Sequence, residues 1–227
     1  MQNIDQILEK HIASGDLPCA VAGVAKADGT LYMGAAGLRS LDASDAMTTD
    51  TIFAIASMTK AITTVATLQL VEQGLIDLDT PITAYLHDLE HLKVLDGFHD
   101  DGKPMLSSPK SSPTARQLLT HTSGYVYEIW NANGLQRVAS EQIDSLFAEG
   151  GDGMTAPLGF SPGDRWEYGI GIDWAGVIVE TLSGKGLDVY FQDHIFAPLG
   201  MHDTSYKVPD EKAARRAAIH SRTEAGL

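Results

Sequence analysis

Cysteine occurs once in these 227 residues, at Cys19. A single thiol excludes an internal disulfide framework and a multi-cysteine metal cluster. As a small hydrophobe, Cys19 is expected to be buried. Basic residues are scarce: 16 Lys and Arg face 30 Asp and Glu, a formal net charge of −14 with a pI near 4.8. So acidic a surface argues against nucleic acid and anionic membrane as partners. No window carries the apolar run of a membrane span. The opening "MQNIDQILEKHIASGDLP" lacks the basic-then-apolar order of a secretory signal, so a cytoplasmic location is expected. Internal repeats and low-complexity tracts are also missing. What is present is 44% hydrophobic residues, enough to bury a core in one large domain or two small ones.

Ile4, Ile7, Leu8 and Ile12 recur at helical spacing. "CAVAGVAKADGTLYMGAAGLRS" reads as a hairpin, with two β-prone runs flanking Asp28-Gly29. An apolar helical run follows, "TIFAIASMTKAITTVATLQLVEQG", with Gly74 as its cap. "LDTPITAYL" predicts a further helix capped by Asp79 or Thr80, with Pro81 in its first turn. Residues 93–113 hold Asp-Gly twice and several prolines, which predicts an exposed meander with a small hairpin. "SPTARQLLTHTSG" predicts a capped helix ending at Gly124, and residues 136–149 another. "GGDGMTAPLGFSPGDRWEY" is a loop, and helices are expected over 170–184 and 186–197, separated by Gly184. Three regions result: 1–56 with a helix and hairpin, 57–200 mostly helical, and 201–227 returning towards the first. A two-stranded hairpin is marginal alone, so strands completing its sheet are expected beyond residue 227.

Ser57 and Lys60 form S-x-x-K at the mouth of the apolar helix. Positions i and i+3 share a helix face, which would put the hydroxyl beside the ammonium at the positive end of the helix dipole. A hydroxyl becomes a useful nucleophile once a neighbouring base takes its proton, and a backbone N–H of the first turn can point at a developing oxyanion. The pattern occurs again at Ser107-Ser108-Pro109-Lys110, where proline and turn residues forbid a helical frame. Only the first copy opens an apolar run: Met58, Ala61, Ile62, Val65, Leu68 and Val71. Three other patterns are weaker. "GFSPG" (159–163) matches G-x-S-x-G without the apolar strand that a nucleophile elbow needs. "HDLEH" (87–91) has a zinc-protease spacing but sits in polar company. "GDGMTA" fits a loose dinucleotide fingerprint in the wrong structural order.

"FAIASMTKAITTVATLQLVEQGLIDLDTPITAYL", then "ARQLLTHTSGY", then "FSPGDRWEYGIGIDWAGVIVETLSGKGLDVYFQDHIFAPLGMHDTSY" follow one another in order. Together they resemble the serine β-lactamase and penicillin-binding protein superfamily, closest to class C β-lactamases and the related family VIII carboxylesterases, over about residues 5–207. The resemblance implies an α+β fold: an antiparallel sheet region with an inserted mostly helical domain, and the site between them. It implies catalytic Ser57, Lys60 and Tyr168, the tyrosine falling after the lead-in "PGDRWEY". A cation beside a phenol favours the phenolate, so Tyr168 would accept the Ser57 proton and return it to the leaving alkoxide. Tyr125, Tyr127 and Trp130 would line an acyl or alcohol pocket. Ile170 stands where class C β-lactamases carry an asparagine, which suits the esterase branch better than strong β-lactam hydrolysis. His121 is implied to be structural, a cap or loop anchor, since no Ser-His-Asp triad is needed. The superfamily's third motif, on a strand after the helical block, has no match after Tyr206. The implied function is a serine carboxylesterase acting on short-chain acyl esters, with no metal or organic cofactor and a small-molecule ester as partner. A β-lactamase or D-amino peptidase, an acyltransferase, and a non-catalytic ligand sensor are the alternatives.

Overall fold

The computed structural model describes residues 2–141, 143, 145 and 153–223. The chain divides into two compact units, residues 1–56 with 203–227, and residues 57–202.

In the first unit, α1 (Gln2–Ala13) packs on β2 (Gly29–Gly37) of an antiparallel hairpin with β1 (Cys19–Lys26). The Tyr32 hydroxyl donates to Asp5 at 2.6 Å, tying sheet to helix. Lys26 pairs with Gly29, so the two-residue turn is Ala27-Asp28, one place earlier than the Asp-Gly signal suggested. Gly29 follows it at a φ of 141° that other residues rarely adopt. Cys19 is half-buried at the head of β1 rather than fully enclosed, and that partial burial pushes its thiol up. Residues near the C-terminus return to this unit. Ile52 N–H donates to the Arg215 carbonyl at 2.9 Å, and Arg215 reaches Asp203 and the Asp50 carbonyl. Hydrogen bonds from Arg215 and Lys212 hold the Asp203 carboxyl at about 2.

The second unit is built on α2 (Thr59–Glu72) and α5 (Gly171–Ser183), which pack together, with α3 (Ala115–Leu119) against α5. α2 buries Thr63, Ala66, Thr67 and Leu70, a 3–4 spacing, while Met58, Val65 and Leu68 are exposed. Two others of the apolar run, Ile62 and Val71, are partly buried and pack against the core. Gly176 lets α5 sit close to its neighbours: an added Cβ there would lie 2.8 Å from Leu187 Cδ1 and 3.5 Å from Thr63 Cγ2 of α2. The hydroxyls of Thr63 and Thr67 bond back to the Thr59 and Thr63 carbonyls, so their burial leaves no polar group unmet. Leu70, Leu118, Ile178, Val179 and Phe191 are fully enclosed, each such side chain contributing about 1.5–3 kcal/mol by leaving water.

Gly74, at a φ of 72°, ends α2 as expected. The helix expected at "LDTPITAYL" is only a 3-10 turn, Ile82–Ala84. The Asp79 carboxylate accepts from Arg116 at 2.7 and 2.8 Å instead of capping it. The segment after it forms the anticipated hairpin, β3 (Val94–Phe98) with β4 (Pro104–Ser107). Thr114 caps α3 through a capping box with Gln117. α4 spans Ala132–Glu141; most of the rest of the helix expected over 136–149 lies outside the described residues. Gly184, left-handed at φ 67°, closes α5 before α6 (Leu187–Phe191), which runs on into a π turn over Gln192–Phe196. No helix among the described residues is long and apolar enough to cross a membrane.

Candidate active site

Ser57 sits in a 3-10 turn, Ala56–Met58, that leads into α2. Ala56 adopts a φ of 43°, a left-handed conformation that alanine tolerates poorly. Such strain gathers where a side chain must be held in a particular place, and the next residue is the exposed Ser57. Lys60, one turn on, is half-buried and points into a group of aromatic rings. Its Nζ donates to the Tyr127 hydroxyl at 2.9 Å, and lies 5.3 Å from the Tyr127 ring centroid and 5.2 Å from that of Tyr168. The two tyrosine rings are 5.5 Å apart, and Trp130 stands 5.5 Å from each.

Two loops deliver these rings. One follows α3 and carries His121, Tyr125, Tyr127 and Trp130; the other precedes α5 and carries Trp166 and Tyr168. They run side by side through backbone bonds from Gly159 to Gly124, Gly163 to Thr122 and Glu167 to His121, at 2.8–2.9 Å. The Asn131 amide donates to the Glu167 carboxylate at 2.7 Å, and Arg165 grips the same carboxylate. Gly169 shows why a glycine follows Tyr168. A Cβ there would meet the Tyr125 carbonyl oxygen at 2.1 Å and the Val126 Cα at 2.6 Å. Only glycine lets the loops approach this closely, and that approach brings Tyr168 to Tyr127.

The charges follow from this packing. Burial works against the Lys60 ammonium, yet the Tyr127 hydrogen bond and the negative charge of Asp173 outweigh it and raise its pKa. Burial raises the Tyr127 phenol as well, opposed by the Lys60 hydrogen bond. Lys60 is therefore held as the cation of the site. Its hydrogen bond goes to Tyr127, a residue read from the sequence as a pocket wall; the tyrosine two places after "SGY" was the only signal. Tyr125 and Ile170, two other pocket candidates, lie in the core at 2% and 3% exposure, so a direct contact with substrate requires opening the core. Tyr125 packs on Trp174, with ring centroids 5.7 Å apart, and Ile170 leads into α5; Tyr127 is also buried, at 8% exposure. Trp130 remains open at 63%.

The weaker patterns take other roles. Lys110 forms an exposed pair with Asp164 at 2.8 Å. The Ser161 hydroxyl of "GFSPG" accepts from the Lys110 backbone N–H at 3.2 Å, and the next helix, α5, starts only at Gly171. His87–His91 forms a 3-10 turn, and among the described residues no three His, Cys, Asp or Glu gather as a metal would need.

The profile of the Beta-lactamase family matches residues 4–226. The chain belongs to the beta-lactamase family. Among the relatives of this beta-lactamase-family chain, monacolin J acid methylbutanoyltransferase of Aspergillus terreus is 34% identical over 233 residues, covering 98% of the chain and 56% of that protein. Lovastatin esterase of Penicillium rubens is 34% identical over 215 residues, covering 89% and 52%. A solved mutant of simvastatin synthase from Aspergillus terreus superposes with a TM-score of 0.90 at 34% identity, covering 99% of this chain and 56% of that one. The chain thus spans about half the length of the relatives it matches.

Proposed function

We propose that this beta-lactamase-family chain carries the acylation site of a serine carboxylesterase. Ser57 Oγ attacks an ester carbonyl, an Oγ–C bond forms, and the alkoxide leaves as its C–O bond breaks. Tyr168 takes the serine proton and hands it to the alkoxide; water then attacks the acyl-enzyme and releases the acid. Lys60 stays protonated and supplies positive charge beside the phenol. Tyr127 anchors the ammonium, and Trp130 offers an apolar wall to the acyl or alcohol group. The observation that carries this reading is the placement of Lys60 Nζ, 2.9 Å from the Tyr127 hydroxyl and 5.2 Å from the Tyr168 ring, one turn after the exposed Ser57.

Transfer of the acyl group to an alcohol is a second reading, favoured by the 34% identity to a methylbutanoyltransferase over 98% of the chain. A panel of p-nitrophenyl esters beside a chromogenic cephalosporin tests both in the intact protein. Short esters should turn over, with an acyl adduct on Ser57 in the mass spectrum and weak or no cephalosporin cleavage. Product ester formed only when an alcohol is added favours the transferase. Esters left intact and Ser57 unmodified reject both.

A further inference from the structure

We propose that His121 is a positioning residue for Tyr168, holding the tyrosine by the peptide groups on either side of it. The inference rests on the assignment of Tyr168 to the acyl-transfer site. The His121 carbonyl accepts the Glu167 N–H at 2.9 Å, and its ring Nδ1 accepts the Gly169 N–H at 3.4 Å. Residues 167 and 169 bracket Tyr168, so one side chain and its own backbone fix both ends of that residue. The imidazole also lies against the phenol ring, with centroids 4.6 Å apart, and meets the Trp166 ring edge-on with centroids 6.1 Å apart.

A loop anchor alone would need only the carbonyl bond. The ring contacts add a requirement, because an Nδ1 that accepts must be unprotonated, leaving the hydrogen on Nε2. His121 also adopts a φ of 57°, uncommon outside glycine, though histidine reaches it more readily than most residues. That backbone turns the carbonyl and the ring towards the same tripeptide. The titratable groups facing the ring are the Tyr168 phenol and the Lys60 ammonium; the Glu167 carboxylate is taken by Arg165 and Asn131. Burial and the Lys60 charge both disfavour the imidazolium. Protonating His121 removes the acceptor for Gly169 and sets a second cation against Tyr168.

The test uses the intact protein. His121→Gly keeps the left-handed backbone and removes the ring; His121→Asn tolerates the same backbone and restores an acceptor near the Nδ1 position. With a p-nitrophenyl ester, His121→Gly should lower kcat about 10- to 100-fold at little-changed KM. His121→Asn should recover most of that loss and remove the part of the acid-side fall in rate that His121 contributes. Imidazole ¹⁵N spectra of the parent protein should show the neutral Nε2–H form. An Nδ1–H form overturns the proposal, whatever the variants do. So does a His121→Gly protein that melts like the parent and keeps its kcat, or an asparagine variant no better than glycine. Ester turnover that survives Ser57→Ala would instead reject the site assignment, and the nitrogen spectra would still report on the clamp.

Discussion

The chain writes Ser-x-x-Lys twice, and the two copies end in opposite environments. Ser57 and Lys60 lie on the turn that opens α2, with the lysine half-buried against two tyrosines. Ser107 closes β4, and Lys110 extends over the surface to Asp164. Four residues do not make a site; what surrounds them does. The first lysine is half-buried among aromatic rings, where its charge meets less water than at the surface and its interactions are stronger. The second makes an exposed ion pair, a kind worth about 0–1 kcal/mol.

The comparison breaks most sharply at the serines. Ser57→Ala should lower ester turnover about a thousandfold or more, whereas Ser107→Ala should leave it within a factor of two; steady-state rates and adduct mass distinguish them. Lysine replacement comes next. Lys60→Met should cost about 10²- to 10⁴-fold in kcat, while Lys110→Met should leave kcat unchanged and shift the unfolding free energy by no more than about 1 kcal/mol in a denaturant titration. Equal effects of the two lysine variants would erase the distinction.

A smaller effect probes the loops that build the first environment. Gly169→Ala pushes a Cβ into the Tyr125 carbonyl and should separate Tyr168 from Tyr127. A loss of about 10- to 100-fold in kcat is expected, with the change in Tyr168 position visible in a crystal structure. The mildest test is alkaline pH. Lys60 carries a raised pKa, since its hydrogen bond to Tyr127 and the Asp173 charge outweigh burial. The charged form is then retained past the ordinary lysine value of about 10.4. Any fall in kcat/KM caused by losing that proton should begin above this value, as should the loss of the stability the ammonium contributes. A descending limb well below it, tracking Lys60 in a lysine-specific probe, would contradict the assignment.

Much of the local structure could be read from residues alone. α1, the first hairpin, the Gly74 and Gly184 stops, and the Thr114 cap all follow from short-range rules. The buried face of α2 was less legible, because polar and apolar residues are spread round the helix and two threonines sit where burial is deepest. Periodicity cannot choose a face when none stands out. Residues 82–84 also misled, since a proline start promises a helix but nothing in the chain then sustains one. In the site, Tyr127 was expected as a wall and is the hydrogen-bond partner of Lys60. Tyr125, two places earlier, was expected beside it and points into the core. Residues two apart share a side in a regular extended segment, so no spacing rule separates Tyr125 from Tyr127 or says which of them meets the lysine.

The sequence by itself determined most of the elements, their stops and the chemical types available: a serine and a lysine one turn apart, and tyrosines on two loops. Those depend on contacts within a few residues. Only the tertiary structure decided which lysine is enclosed, which tyrosine meets it, and that His121 faces Tyr168 from 47 positions away. Such choices depend on how closely two backbones approach, and Gly169 against Tyr125 and Val126 sets that distance here.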